Sequence, residues 1–265
     1  MSYQLGFIGC GNMANAIIYG IINNSILGAE NIHVYDTDDF KAALLKETKK
    51  VHVASGLDEL QQKCDILFLC VKPNIVPAVL DAITVPGKAL VSIAAGVTTK
   101  KMTQLLKVDA RVLRAMPNTP LMVGKGATGL EVPSTFTKDE FAFVKNIFLC
   151  LGKVAEVSAS RMDAITGISG SGPAYMYRFL NALVKAGVRQ KLSPEDSLTL
   201  ALQTMKGAVA MVEKTGKPLE QLIKEVCSPG GTTIEAIAVF DQFDLDDVVD
   251  QAVDACVKKS ARLSE

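Results

Sequence analysis

A glycine-rich turn close to the first residue limits the fold of this chain more than any other segment. Gly9-Cys10-Gly11-Asn12-Met13-Ala14 fits the pattern G-x-G-x-x-[GA], directly after the apolar run QLGFIG and before a stretch with helical spacing. In such a turn the first glycine bends the chain, the second lets the backbone approach a pyrophosphate, and the helix start presents free N–H groups. The segment therefore predicts a dinucleotide-binding strand, turn and helix.

Further apolar runs predict the sheet to which this turn belongs. NIHVYD, CDILFLCV and KALVSIAAG show little alternation, as strands buried on both faces do, and the segments between them can hold crossover helices. RVLRAMP and GATGLEV extend the series, and FAFVKNIFLCLG has the spacing of a helix. The pattern predicts an α/β fold with a Rossmann-type, doubly wound parallel sheet over residues 1–159.

After residue 159 the strand-like runs stop and helical patterns follow. AYMYRFLNALVKAGVRQ has apolar residues at helical spacing, Ser193-Pro194 predicts a helix start, and Gly216-Lys217-Pro218 predicts its end. Two further helical patterns cover 219–226 and 233–262. We therefore predict an all-helical C-terminal domain over residues 160–265, which serves dimerisation and substrate binding.

One face of the predicted helix after Ser193 is too broadly apolar for a small helical domain to bury alone. Its stripe consists of Leu198, Leu202, Met205, Val209 and Val212. About 100 residues of helix enclose only a limited core. We expect these helices to pack against a second copy, so the protein is predicted to be an obligate dimer or larger.

Composition and charge exclude several classes of partner. Lys+Arg and Asp+Glu both number 28, so the net charge is zero and no basic surplus is present for binding nucleic acid. The apolar stretches are too short for a membrane span, and the start lacks the features of a signal peptide. The six cysteines form no CxxC pair, and no carboxylate cluster indicates a metal. We expect reduced core cysteines in a cytoplasmic protein without a metal site.

An acidic residue stands where the second predicted strand ends. Asp36 follows Ala14 by 22 residues, close to the roughly 20 expected of a carboxylate that binds the cofactor ribose. Such a carboxylate accepts hydrogen bonds from the ribose hydroxyls and repels a 2′-phosphate. Asp38 and Asp39 add to this repulsion, and Lys41 is the base close by. The pattern favours NADH, and the alternative is an aspartate that only forms a turn.

Three other strand ends carry residues that can reach a cofactor. Lys72 follows CDILFLC, Ala94-Ala95-Gly96 follows KALVSI, and Asn118-Thr119 lies in a loop fixed by two prolines. Because the carboxyl ends of parallel strands face the ligand, we expect these residues near the cofactor, with Asn118 or Thr119 facing the nicotinamide. A solvated loop lysine and ordinary turn chemistry are the alternatives.

Two glycine-rich segments of the helical half are candidates for the substrate site. Residues 167–173 include Ser171 and are predicted to form a loop that enters a helix at Ala174. Residues 228–233, SPGGTT, lead into the helix that begins near Ile234. Backbone amides and hydroxyls at the positive end of a helix suit a small carboxylate, whereas helix capping by threonine is the alternative.

Neither histidine of the chain lies near these segments. His33 falls within the second predicted strand and His52 in a short run before Gly56, so both are expected to be structural. Reduction of a ketone usually requires a proton donor poised near neutral pH, most often histidine. A substrate that carries its own proton, such as a protonated imine, removes that requirement.

Six motifs along the chain resemble those of pyrroline-5-carboxylate reductases: GFIGCGNMA, VKP, SIAAGV, RAMPNTP, GISGSGPAY and CSPGGTTIEA, in this order. The resemblance implies reduction of L-1-pyrroline-5-carboxylate to L-proline by NADPH or NADH, the last step of proline biosynthesis. It also implies a helical dimerisation domain and interlocked homodimers, assembled in some members into decamers. In such dimers the partner's helices complete each active site.

The resemblance also assigns roles to individual residues. The pyrophosphate is held by Ile8, Gly9, Cys10, Gly11, Asn12 and Met13, and the cofactor is lined by Cys70, Val71, Lys72, Pro73, Ile93, Ala94 and Ala95. The substrate carboxylate is held by Ser228, Gly230, Gly231, Thr232 and Thr233, with the Thr233 hydroxyl near the imine nitrogen. Many members have Ser or Thr near position 36 and favour NADPH, so Asp36 departs from the family.

Two alternatives to this assignment remain open. The first is another reductase with a Rossmann and a helical domain, an imine reductase or a 3-hydroxyacid dehydrogenase. Such dehydrogenases have a catalytic lysine followed four residues later by asparagine, whereas Lys185 is followed at that spacing by Arg189. The second is a catalytically silent NAD(P)-binding scaffold, which would be favoured by loss of the SPGGTT segment that this chain retains.

Overall fold

Over residues 3–264, the part of the chain that this computed structural model describes, eight strands form one sheet in the order β3-β2-β1-β4-β5-β6-β7-β8. The strands are β1 Leu5–Ile8, β2 Ile32–Tyr35, β3 His52–Val53, β4 Ile66–Leu69, β5 Lys88–Ser92, β6 Ala110–Met116, β7 Gly126–Glu131 and β8 Gly152–Val157. All neighbours are parallel except β6 and β7. The order 3-2-1-4-5-6 is that of dinucleotide-binding sheets, which confirms the predicted fold class.

Helices cover both faces of this sheet and so bury its central strands on both sides. They are α1 Asn12–Asn23, α2 Asp39–Lys49, α3 Leu57–Lys63, α4 Val76–Asp81, α5 Thr99–Leu105, α6 Lys138–Cys150 and α7 Met162–Ile165. Phe7 belongs to the hydrophobic cluster that contains residues of α1, α2 and α6, while its neighbour Ile8 belongs to the cluster of α3, α4 and α5. Successive side chains of one strand thus fill opposite layers, as the pleat requires.

The C-terminal half is helical. Its helices are α8 Gly172–Arg189, α9 Pro194–Thr215, α10 Leu219–Val226, α11 Thr232–Gln242 and α12 Leu245–Ser264. Ser193 caps α9 as predicted, since its hydroxyl accepts a hydrogen bond from the Asp196 amide at 3.0 Å. The helical pattern over residues 233–262 does not form a single helix. α11 ends at Gln242 and α12 begins at Leu245, and Asp244 between them has φ +47°.

The chain divides into two compact units. The sheet unit contains the residues up to Pro173 together with those from Ala255 onward, and the helical unit is Ala174–Asp254. The last turns of α12 therefore belong to the sheet unit. The domain boundary between residues 159 and 160, which was placed where the sequence changes character, stays a prediction.

The helical unit has almost no interior of its own. Among the described residues 174–254, Ser197 alone is buried. The apolar stripe of α9 stays open, with Leu198 exposed by 44% and Val209 by 60%. Helices with so much open apolar surface need a further surface to pack against. No helix within residues 3–264 is long and apolar enough to cross a membrane.

Candidate functional site

Hydrogen bonds between strand ends bring the predicted cofactor residues to one edge of the sheet. The Gly9 amide donates to the Tyr35 carbonyl at 2.8 Å, the Cys70 amide to the Ile8 carbonyl at 2.8 Å, and the Ile93 amide to the Leu69 carbonyl at 3.3 Å. The segments after β1, β2, β4 and β5 consequently lie side by side. This edge includes the point where the strand order reverses, between β1 and β4, which is where such sheets bind nucleotides.

The turn after β1 has the geometry that a pyrophosphate requires. Gly9 has φ +96°, and a Cβ there would lie 2.9 Å from the Cys70 carbonyl oxygen, so only glycine fits. Gly11 has no neighbouring atom of the described chain within 4 Å of its Cβ position, which leaves room for a ligand against the backbone. It caps α1 without a side-chain hydrogen bond, so the first amides of the helix stay available to an anion.

Cys10 is a buried structural thiol within this turn. It is 2% exposed, and its amide donates a hydrogen bond of 2.6 Å to Asp36 Oδ2. Burial, with the negative charge of Asp36 as a smaller cause, raises the pKa of the Cys10 thiol to about 12. The thiol is therefore protonated at neutral pH and cannot act as a nucleophile.

The Asp36 carboxylate is fixed by two backbone amides. Besides the bond from Cys10, Oδ1 accepts a hydrogen bond from the Asp38 amide at 2.9 Å. Each carboxylate oxygen keeps a further acceptor position, which is what ribose hydroxyls would use. Lys41, the basic residue closest to Asp36 along the chain, forms an ion pair with Asp38 at 3.0 Å and is thus already paired with an acid. The preference for NADH stays a prediction.

The side-chain amide of Asn118, which was predicted to face the nicotinamide, forms hydrogen bonds within the protein. It is 7% exposed, its Oδ1 accepts from the Ala127 amide at 2.9 Å, and its Nδ2 donates to the Ser169 carbonyl at 2.9 Å. These two bonds join the end of β6 to β7 and to the segment before α8. One N–H of the side chain is left for a ligand, and a role toward the cofactor stays a prediction.

The prediction of a loop over residues 167–173 was wrong. Thr166–Gly170 forms a π-helical turn that follows α7 and leads into α8. The Ser171 amide donates to the Thr166 carbonyl at 2.9 Å, so this backbone group is not available to an anion. The Ser171 hydroxyl lies 3.1 Å from the Cys256 sulfur, within the sheet unit. Glycine and serine favour turns, and here the turn is a widened part of a helix.

The SPGGTT segment forms a tight turn that opens directly into α11. The Gly231 amide donates to the Ser228 carbonyl at 2.9 Å, and Gly230 has φ +69°. Gly231 caps the helix and no side chain bonds to its first amides, so threonine capping does not explain the sequence. Thr233 is half-buried in an apolar groove of about 610 Å³, lined by residues of α9, α10 and α11 such as Met211, Ile223 and Ile237.

Both histidines lie apart from these loops, on the neighbouring strands β2 and β3. The rings of His33 and His52 stack with centroids 4.9 Å apart, and His33 Nε2 is 3.3 Å from Gln4 Oε1. Burial, followed by the charge of His52, lowers the pKa of His33. Within residues 3–264 no group of three or more His, Cys, Asp or Glu residues could hold a metal.

Known proteins match this chain along its whole length. Residues 159–263 match the family model described as pyrroline-5-carboxylate reductase dimerisation, and residues 4–96 match that described as NADP oxidoreductase coenzyme F420-dependent. The chain is 37% identical to the pyrroline-5-carboxylate reductase of Escherichia coli (strain K12), with all of both chains covered. It is also 37% identical to that of Glycine max, over 99% of this chain and 97% of the relative.

A solved structure agrees with the sequence comparison. The Plasmodium falciparum pyrroline carboxylate reductase with NADP bound has a TM-score of 0.90 at 34% identity, over 99% of this chain and 98% of that chain. This chain belongs to the pyrroline-5-carboxylate reductase family. Membership confirms the resemblance in the six motifs and the predicted class of enzyme, an NAD(P)H-dependent oxidoreductase. It decides against a 3-hydroxyacid dehydrogenase.

In this reductase a buried charged side chain on the strand next to β5 was not among the predicted site residues. Arg114 on β6 is 1% exposed, and its Nη2 lies 3.6 Å from Asp163 Oδ1. The available signal was an arginine in the middle of the apolar run RVLRAMP. A charged side chain inside a buried strand requires a partner, and the partner lies on α7, far along the chain.

Proposed function

We propose that this enzyme reduces L-1-pyrroline-5-carboxylate to L-proline with NADPH or NADH, as the last step of proline biosynthesis. The observation that carries the proposal is the start of α11. There a helix N-terminus without a side-chain cap follows two glycines, next to a half-buried threonine. The chain is 37% identical to a named reductase over its full length. The amides of that terminus suit the carboxylate of the substrate.

The residues of the chain supply binding and orientation in this mechanism. The turn from Ile8 to Met13 holds the pyrophosphate, and the segments after β4 and β5 line the cofactor, which when bound supplies the hydride. Ser228 and the amides and hydroxyls of Gly230 to Thr233 hold the substrate carboxylate, with Ser171 as a further contact. The Thr233 hydroxyl forms a hydrogen bond at the imine nitrogen and so orients the imine carbon. A protonated imine brings its own proton, so the chain needs no histidine there.

The open helices indicate how the enzyme assembles. With Ser197 the one buried residue among the described residues 174–254, α8 to α11 lack a core of their own. A homodimer formed through these helices covers the exposed stripe of α9, consistent with the dimerisation model matched by residues 159–263. Assembly of dimers into a decamer and a cytoplasmic location stay predictions.

The direct test is whether the purified protein oxidises NADPH and NADH. The absorbance of the reduced nicotinamide measures the rate. We expect oxidation that depends on added pyrroline-5-carboxylate and yields proline. Acyclic ketones and 3-hydroxyacids with oxidised cofactor serve as comparison substrates. Turnover of these compounds without turnover of pyrroline-5-carboxylate would contradict the proposal, as would cofactor binding with no reduction of any of them.

The choice of cofactor is tested at Asp36. For Asp36→Ser we expect the ratio of kcat/KM for NADPH to that for NADH to rise by about tenfold, because a carboxylate repels a 2′-phosphate and serine can donate to it. Asp139→Ser, which removes the same charge from an exposed position on α6, is the control and should leave the ratio unchanged. An unaltered ratio in Asp36→Ser would show that Asp36 forms the turn only.

A further inference from the structure

The end of α12 packs against a loop at the cofactor edge of the sheet unit. Gly96 has φ +73°, and a Cβ there would lie 2.5 Å from Leu263 Cβ and 3.3 Å from the Ser260 carbonyl oxygen. Gly96 directly follows Ala94 and Ala95, which are predicted to line the cofactor. The last turns of α12 therefore pack so closely against this loop that position 96 has no room for a side chain, and a shift of the helix end would move the loop.

Three side chains hold the helix end in this place. Ser260 is 3% exposed, and its hydroxyl donates a 2.7 Å hydrogen bond to Asp163 Oδ1. The same oxygen forms the ion pair with Arg114 Nη2 at 3.6 Å, a distance too long for a hydrogen bond. Neither Nε nor Nη2 of Arg114 has a hydrogen-bond partner among the described residues, and the acid with which this buried charge forms an ion pair is Asp163. β6, α7 and α12 meet at one carboxylate.

We propose that Ser260, Asp163 and Arg114 are positioning residues for the loop after β5, Ala94 to Gly96, which is predicted to line the cofactor. They fix the end of α12, and α12 fixes the backbone of Ala94 to Gly96 against which the cofactor lies. Because α12 begins in the helical unit and ends in the sheet unit, the helix that sets this loop is shared by both units. The proposal rests on the proposed function in one respect, that the loop after β5 contacts the cofactor.

The test separates a positioning role from a purely structural one. For Ser260→Ala we expect the Kd for NADPH, measured by fluorescence in the absence of substrate, and the KM for NADPH to rise by about five- to tenfold. The KM for pyrroline-5-carboxylate should stay within about twofold. Asp163→Ala and Ser260→Ala both remove the hydrogen bond between these two side chains. The double variant should therefore bind NADPH no more weakly than whichever single variant binds it less tightly.

Controls keep each outcome informative. Thr137→Ala removes the capping hydroxyl of α6, which accepts from the Glu140 amide at 3.3 Å, so it lowers Tm without contact to the loop and should leave the Kd unchanged. If Asp163→Ala does not fold, Asp163→Asn keeps an acceptor for Ser260 and removes the charge facing Arg114. A folded Ser260→Ala variant with wild-type Kd, or independent effects in the double variant, would overturn the proposal. Altered NADPH binding in a protein that does not reduce pyrroline-5-carboxylate would instead count against the proposed function.

Discussion

Thr233→Ala is expected to lower kcat for pyrroline-5-carboxylate reduction by about 100-fold, with an unchanged Kd for NADPH. The side chain is half-buried in the groove between α9, α10 and α11, and the helix start beside it is not capped by any side chain. Its hydroxyl is thus free of a structural task in the helix and can bond to the imine nitrogen. Losing one well-placed hydrogen bond to a reacting group costs roughly two orders of magnitude in rate.

Two further variants isolate the hydroxyl of Thr233 as the cause. Thr233→Ser keeps the hydroxyl and should retain most of the wild-type kcat, whereas Thr233→Val, which keeps the shape, should behave like alanine. Thr199→Ala is the matched control, since Thr199 is an exposed threonine on α9 outside the groove lining. Steady-state rates and fluorescence titration with NADPH provide the measurements. A wild-type kcat in Thr233→Ala would remove this residue from the mechanism.

Local signals explain which parts of the fold the sequence predicts. The turn after β1, the start of α9 at Ser193 and the span of α10 each depend on residues close together in the chain, and each lies where predicted. β8 was missed because none of its residues is buried at the last position of the sheet, so it lacks the continuous apolar run of a central strand. β3 has two residues, too few to show any period.

The same difference between local signals and contacts made only in the folded chain applies to the residues of the candidate site. Gly9, Gly11 and Asp36 could be predicted as cofactor residues because a dinucleotide turn sets their spacing along the chain, and the structure places all three at one edge of the sheet. The contact of Ser260 with Asp163, and of Asp163 with Arg114, joins three segments with no common motif, so only the folded chain brings them together. The segment before Ser171 was mispredicted for a different reason. Its glycines and serines are typical of a loop, but the chain there forms a π-helical turn.

Val209→Asp is expected to convert the enzyme to a monomer at micromolar concentration and to reduce its activity by more than about 100-fold. Val209 lies on the apolar stripe of α9 and is 60% exposed in the single chain, where a carboxylate would be tolerated. Against a second copy the same carboxylate would be buried without a partner, which costs several kcal/mol. Because α8 to α11 have no core of their own, separation of the copies should also loosen the helices that carry Thr233.

The matched control places the same charge on the polar side of the same helix. Gln203 is exposed on α9 and lies off the stripe, so Gln203→Asp should leave both the dimer and kcat unchanged. Light scattering reports the mass, and circular dichroism reports the helix content of each variant. A Val209→Asp protein that stays dimeric and fully active would place the interface on another face of these helices. A fully active monomer would show that one copy completes the active site, and the dependence of the helical unit on a partner would then be wrong.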